Sequence, residues 1–203
     1  ARFHTLLAIS IFSLLCMVSS ASLVMLFLFW QLLSWLLTLL AHNYTHSPTA
    51  QGAFRTFIIL RAGDVAFLAG IVLAYNLYGT VEFSQLFLRA TADQTTFSLF
   101  WAGSGLEISG ATAVTLLIFV GAMSKSAQFP LHMWLPDSLY APTPIHALLH
   151  AGIINAGGFL LNRLAPLYGL SPTTLHVVFA VGLLTALLGA AMMLTQNDIK
   201  KTL

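Results

Sequence analysis

Residues 121–163 read GAMSKSAQFPLHMWLPDSLYAPTPIHALLHAGIINAGGFLLNR. An apolar run that begins near Ala111 ends in Lys125, with no carboxylate in the ten residues before it. Pro130, Pro136, Pro142 and Pro144 follow, and a second apolar run then carries His146, His150 and Asn155. Unpaired charge and unsatisfied backbone groups are costly in hydrocarbon, so a lipid-facing helix avoids lysine, histidine and proline. Their concentration between two apolar runs marks the working part of a membrane-embedded bundle. The flanking segments read as scaffold, except near Arg61 and Asp64.

The composition of the whole chain agrees. Of 203 residues, 58% are hydrophobic and 7% charged, against roughly 25% charged in soluble domains; the mean hydropathy is +0.88. Lipid is therefore the expected solvent. A single cysteine, Cys16, lies in an apolar run and offers neither a disulfide framework nor a thiolate metal site. The net charge of +2 is small and dispersed, which argues against a nucleic-acid partner. No cleavable leader is visible, the chain starts without methionine, and polar sequence has only just begun at NDIKKTL. The expectation is one transmembrane domain, residues 1–203, belonging to a longer polytopic chain.

From Phe3 to Leu40 there is no Asp, Glu, Lys or Arg, a length of about two bilayer crossings, with a break expected around Ser19–Ser22. Further spans are expected at about 56–77, 111–129, 143–161 and 173–194. Tyr75 and Tyr78 suit an interfacial belt. The connection 79–110 is polar, and within it VEFSQLFLRA reads as a short amphipathic helix on the membrane surface. The predicted fold is thus all-α, a polytopic bundle of about six helices. Sorting the loops by side places Arg2, Arg55, Arg61, Lys200 and Lys201 opposite Arg89 and Arg163. The positive-inside rule then puts both ends of the chain in the cytoplasm.

Within this frame the polar residues have both functional and plain readings. A lysine inside a span costs about 2.5–3.5 kcal/mol on insertion scales. An amine that burial allows in either protonation state is what a proton relay requires; the alternative for Lys125 is snorkelling at a helix end. His146 and His150 are four apart and share a helix face, with Asn155 not far round. They can pass protons through two ring nitrogens, or merely tie helices together. A metal site lacks its supporting ligand, since there is no glutamate of an H-E-x-x-H motif. Arg61 and Asp64, at i and i+3, can form a buried ion pair that either offsets the cost of each charge or tunes a neighbouring site. Gln31 is polar amid apolar residues but carries no proton. Gly152, Gly157 and Gly158 are expected to permit close helix packing. No phosphate loop, nucleophile–base pair, haem or flavin pattern is present, so no cofactor and no redox chemistry are expected on this chain.

The stretch KSAQFPLHMWLPDSLYAPTPIHALLH closely resembles the signature of the antiporter-like subunits of respiratory complex I, nearest the L (mitochondrial subunit 5) type. That group also contains subunits of multisubunit sodium/proton antiporters. The resemblance runs back through FRTFIILRAGDVAFLAG and YNLYGT and forward to NDIKKTL, covering essentially the whole chain. It implies proton translocation in a bacterial inner membrane, with other membrane subunits of a complex I-like assembly as partners. Lys125 then matches the central relay lysine, His150 the histidine of a broken helix, and Asp64 the aspartate of an Arg-x-Gly-Asp motif. The family's glutamate falls at Gln31. That departure, with HAGIINAGGFLLNR, also resembles the membrane subunit of two-component inorganic-carbon uptake complexes, whose partner is a large cytosolic zinc subunit. A non-conducting structural subunit is the remaining alternative.

Overall fold

The computed structural model describes residues 2–41, 47–92, 95–98, 107–136 and 147–195. The charge-free N-terminal stretch folds as α1 (Arg2–Val18) and α2 (Leu23–Ala41). The break falls at the small residues Ser19–Ser22. There the Ser20 hydroxyl donates to the Met17 carbonyl at 2.8 Å, and the Ser22 hydroxyl accepts the Met25 N–H at 3.3 Å, so side chains supply partners at both helix ends. Two backbone hydrogen bonds, Leu23 N–H to Val81 O (2.9 Å) and Phe83 N–H to Ala21 O (3.2 Å), tie this turn to the one after α3.

Helix α3 runs Ser47–Tyr78, nine residues longer at its start than the hydropathy pattern predicts. Residues 47–55 (SPTAQGAFR) interrupt the apolar run with polar residues and Arg55, so the run by itself does not mark the helix start. Pro48 fits a first helical turn, where its missing N–H has no helical partner. Arg61 therefore lies well inside the helix, not near its start, and is not a loop charge for sorting sides. The helix stops at Gly79, whose φ of +64° is the left-handed conformation glycine adopts without Cβ strain. Arg89, from α4 (Phe83–Ala92), donates to the Tyr78 carbonyl at 2.8 Å. Tyr75 is exposed as a belt residue should be, whereas Tyr78 is buried in the core.

Two short strands, β1 (Thr96–Ser98) and β2 (Glu107–Ser109), pair antiparallel in a stretch expected to be loop. They lead into α5 (Gly110–Lys125), which Ser109 caps by accepting the Thr112 N–H. After the loop to residue 136, helix is described again from Ala147. A π-helical turn at Leu149–Ile153 precedes α6 (Asn155–Arg163), α7 (Ala165–Gly169) and α8 (Pro172–Thr195). Leu23–Leu40, Gln51–Tyr78 and Pro172–Thr195 are long and apolar enough to cross a membrane, and His4–Val18 and Gly110–Lys125 are shorter apolar helices. With the helical stretch that starts at Ala147, they make the all-α membrane bundle of about six helices that the sequence predicts.

Helix α5 is the hub, packed against α3, α6, α7 and α8. Without a hydrophobic driving force in lipid, small residues that let backbones approach are what hold such helices together. A Cβ on Gly63 would lie 1.9 Å from Ser124 Oγ, and one on Gly121 would lie 2.7 Å from the Phe67 Cβ, so α3 and α5 touch through glycine on both sides. A Cβ on Gly157 would lie 2.6 Å from the Ala122 carbonyl oxygen, which locks α6 to α5. Among the described residues nothing lies within 4 Å of a Cβ on Gly158, and Gly152 faces the flexible Leu14 side chain. At the other end of α5, hydroxyls join it to α8 in two rungs: Thr112 to Ser171 and Thr115 to Thr174, each 2.8 Å.

Gly63→Ala is therefore expected to destabilise the full-length protein by about 1–3 kcal/mol through overpacking against Ser124. Gly158→Ala should stay within about 0.5 kcal/mol of wild type. Thermal unfolding in detergent distinguishes the two.

Candidate functional site

Lys125 is the last residue of α5, and the helix stops four residues before the hydropathy boundary. The stop is a Schellman-type turn. Ser126 N–H bonds to Ala122 O (2.9 Å) and Gln128 N–H to Met123 O (3.0 Å), with Ala127 between them at φ +50°. The Trp134 indole N–H reaches back to the Ser124 carbonyl at 2.8 Å. Three carbonyls that the end of the helix would leave bare thus have donors.

The lysine side chain does not run out to solvent. It is fully buried, and its Nζ turns into the bundle toward α2. There it donates to the Trp30 carbonyl at 2.9 Å and to the Ser34 hydroxyl, and it stands 4.7 Å from the centroid of the Trp30 ring. The Ser34 hydroxyl spends its own proton on the Trp30 carbonyl at 3.1 Å, which leaves its oxygen free to accept. Two neutral acceptors satisfy both donors of an uncharged amine and two of the three donors of an ammonium. The pocket can hold either protonation state.

Behind Trp30 lies the ion pair. Asp64 is 2% exposed, and its Oδ1 accepts the Trp30 indole N–H at 2.7 Å. Its Oδ2 meets Arg61 Nη2 at 2.6 Å, a charge contact without the alignment of a good hydrogen bond. Arg61 also donates to Gln31 Oε1 and lies over the Trp35 and Phe57 rings, with 5.2 and 5.6 Å to the ring centroids. Sequence spacing thus pairs Arg61 with Asp64 correctly. It does not show that Gln31 belongs to the arginine and not to Lys125.

His150 sits in the π-helical turn, exposed, and is not among the partners of Lys125. Its carbonyl accepts from Asn155 Nδ2 at 3.1 Å, so Asn155 bonds the backbone there. The π turn ends the strict helical period that places Asn155 beside the histidines. His146 lies outside the described residues. The sequence marks Trp30 and Ser34 as polar positions in an otherwise apolar run, but not as partners of the lysine, and it does not single out Gln128 or His132. Trp30 and Ser34 supply the acceptors of the lysine, and their only signal is a Trp and a Ser inside an apolar helix. Gln128 and His132, in the loop after α5, each keep one buried polar atom (Oε1 and Nδ1) without a partner among the described residues. Among the described residues no three His, Cys, Asp or Glu side chains gather as a metal-binding group.

Residues 20–203 match the family described as NADH:quinone oxidoreductase/Mrp antiporter, transmembrane. A probable inorganic carbon transporter subunit of Halothiobacillus neapolitanus is 44% identical over the whole of this chain and 35% of its own length. An NADH-quinone oxidoreductase subunit L of Neisseria meningitidis is 41% identical over 98% of this chain and 30% of its own. The chain thus spans about a third of the length of these curated relatives. Among solved structures, the Mrp complex of Dietzia sp. superposes with a TM-score of 0.83 at 29% identity, over 97% of this chain and 20% of that one. Respiratory complex I of Thermus thermophilus does so with 0.75 at 21% identity, over 98% of this chain and 41% of that one, a likeness of fold alone.

Ser34→Ala removes one of the two acceptors of the buried amine. It is expected to cost about 1–3 kcal/mol in thermal unfolding of the full-length protein. Ala127→Gly, which relieves a left-handed alanine, should raise stability by about 1 kcal/mol in the same measurement.

Proposed function

Because the chain belongs to the transmembrane family shared by NADH:quinone oxidoreductases and Mrp antiporters, we propose that it carries protons through the membrane by way of Lys125. It does so as one subunit of a larger membrane complex. The observation that carries this reading is the fully buried amine held by two neutral acceptors, an arrangement that tolerates both loading and release of a proton. In this reading His146 and His150 continue the path beyond the lysine. The Arg61–Asp64 pair sets the field around it, and Gln31 is a neutral substitute for a tuning carboxylate.

The setting is a multi-pass protein of a bacterial inner membrane with both ends of this stretch in the cytoplasm. Arg2, Lys200 and Lys201 flank it on that side. Arg89 and Arg163, on the other, each donate to a backbone carbonyl, of Tyr78 and Ser20. The leading assembly is a quinone-oxidoreductase type complex, with other membrane subunits as partners. A second is an inorganic-carbon uptake complex with a large cytosolic zinc subunit. The 44% identity to a probable carbon transporter subunit and the commitment of Gln31 to Arg61 favour it.

Proton flux in vesicles holding the full-length protein and its partners tests both. Lys125→Ala should reduce flux at least about tenfold, equivalent to about 1.4 kcal/mol on the barrier. NADH-driven flux lost in the variant identifies the first assembly, and lysine-dependent bicarbonate accumulation without a response to NADH identifies the second. Flux unchanged by Lys125→Ala would return the chain to a structural role.

A further inference from the structure

We propose that Trp30 is a positioning residue of the proton path, transmitting the charge of Asp64 to Lys125 through its indole ring. The inference rests on the reading of Lys125 as the relay. Trp30 is fully buried and meets both groups at once. Its N–H donates to Asp64 Oδ1 at 2.7 Å, its ring centroid is 4.7 Å from Lys125 Nζ, and its carbonyl accepts from the same nitrogen at 2.9 Å. Phe67 packs edge-on against the ring, with centroids 5.4 Å apart, and keeps the indole from turning away.

The chemistry follows from how an indole responds to an anion. A carboxylate that accepts the N–H polarises the ring and makes its face more negative, and that face attracts a cation above it. Protonating or displacing Asp64 weakens that attraction; restoring the anion strengthens it. Among the described residues, the charged groups that act on Lys125 are Asp64 and Arg61, both on α3. From α2 it meets Trp30 and Ser34, which are neutral. Gln31 is neutral too and is turned to Arg61. The negative charge of Asp64 is thus applied through Trp30, and among the described residues no carboxylate is bonded to the amine.

Trp30→Phe keeps an aromatic face and the backbone carbonyl and removes the N–H together with one ring of the indole. In the full-length protein with its partners, the pH profile of proton flux is expected to shift by roughly half a pH unit. Asp64→Asn should shift it in the same direction, and the double variant no further than the larger single shift. An unshifted Trp30→Phe profile, or shifts that add in full, would overturn the coupling. A second measurement leaves Trp30 in place, in case the variant does not assemble. In wild type labelled with 5-fluorotryptophan, one fluorine resonance should titrate with pH and cease to do so in Lys125→Ala; no such resonance refutes the inference. Loss of flux in Lys125→Ala with no effect of Trp30→Phe sinks the coupling alone. Unchanged flux in Lys125→Ala sinks the relay itself.

Discussion

An α-helix that stops inside a membrane bundle must find donors for the carbonyls it leaves behind, because no water is there to take them. The end of α5 meets that demand with Ser126 N–H, Gln128 N–H and the Trp134 indole. Its other neighbours then follow. Lys125 becomes the last helical residue, aimed at α2 and held away from solvent. Trp134 is buried because its ring must reach the Ser124 carbonyl. Gly157 has no side chain because α6 crosses directly over the Ala122 carbonyl.

The charges are arranged with comparable economy. Asp64, Arg61, Gln31, Trp30 and Lys125 form one chain of contacts running from α3 to α2 and across to α5. A carboxylate at the position of Gln31 would compete with Asp64 for the arginine. The amide accepts the same hydrogen bond without adding charge. A buried pair is fragile in one respect: removing either partner strands the other, at a cost of about 3–5 kcal/mol. The aromatic rings of Trp35 and Phe57 around Arg61 hold the guanidinium where its contacts need it.

Much of this was readable in the residues. The charge-free stretch to Leu40, the serine break and the apolar runs placed the helices, because hydropathy is a local property that lipid enforces strictly. The i, i+3 spacing of Arg61 and Asp64 was enough to pair them. What stayed hidden depends on tertiary contact. The apolar run starting at Thr56 leaves out residues 47–55, which polar residues and Arg55 interrupt, although they continue α3. The boundary at Lys125 depends on backbone dihedrals at Ala127 and on a donor nine residues ahead, at Trp134. The contacts of Trp30 require knowing that its side chain reaches from α2 to both Asp64 and Lys125, and no periodicity in α2 states that. Glycines of like appearance divided sharply: Gly157 carries a helix crossing, and among the described residues Gly158 carries none.

The two hydroxyl rungs between α5 and α8 have a further consequence. Thr115 commits its proton to the Ala111 carbonyl at 2.7 Å, so Thr174 must donate to Thr115. Ser171 must then donate to Thr174, Thr112 to Ser171, and Ser109 to Thr112. Five protons are forced to point one way, and no member can reverse alone without stranding two oxygens facing each other. The junction is thus a hydrogen-bond chain of a single sense. It joins α5 and the first turn of α8 into a single strut whose sense is set by one backbone carbonyl.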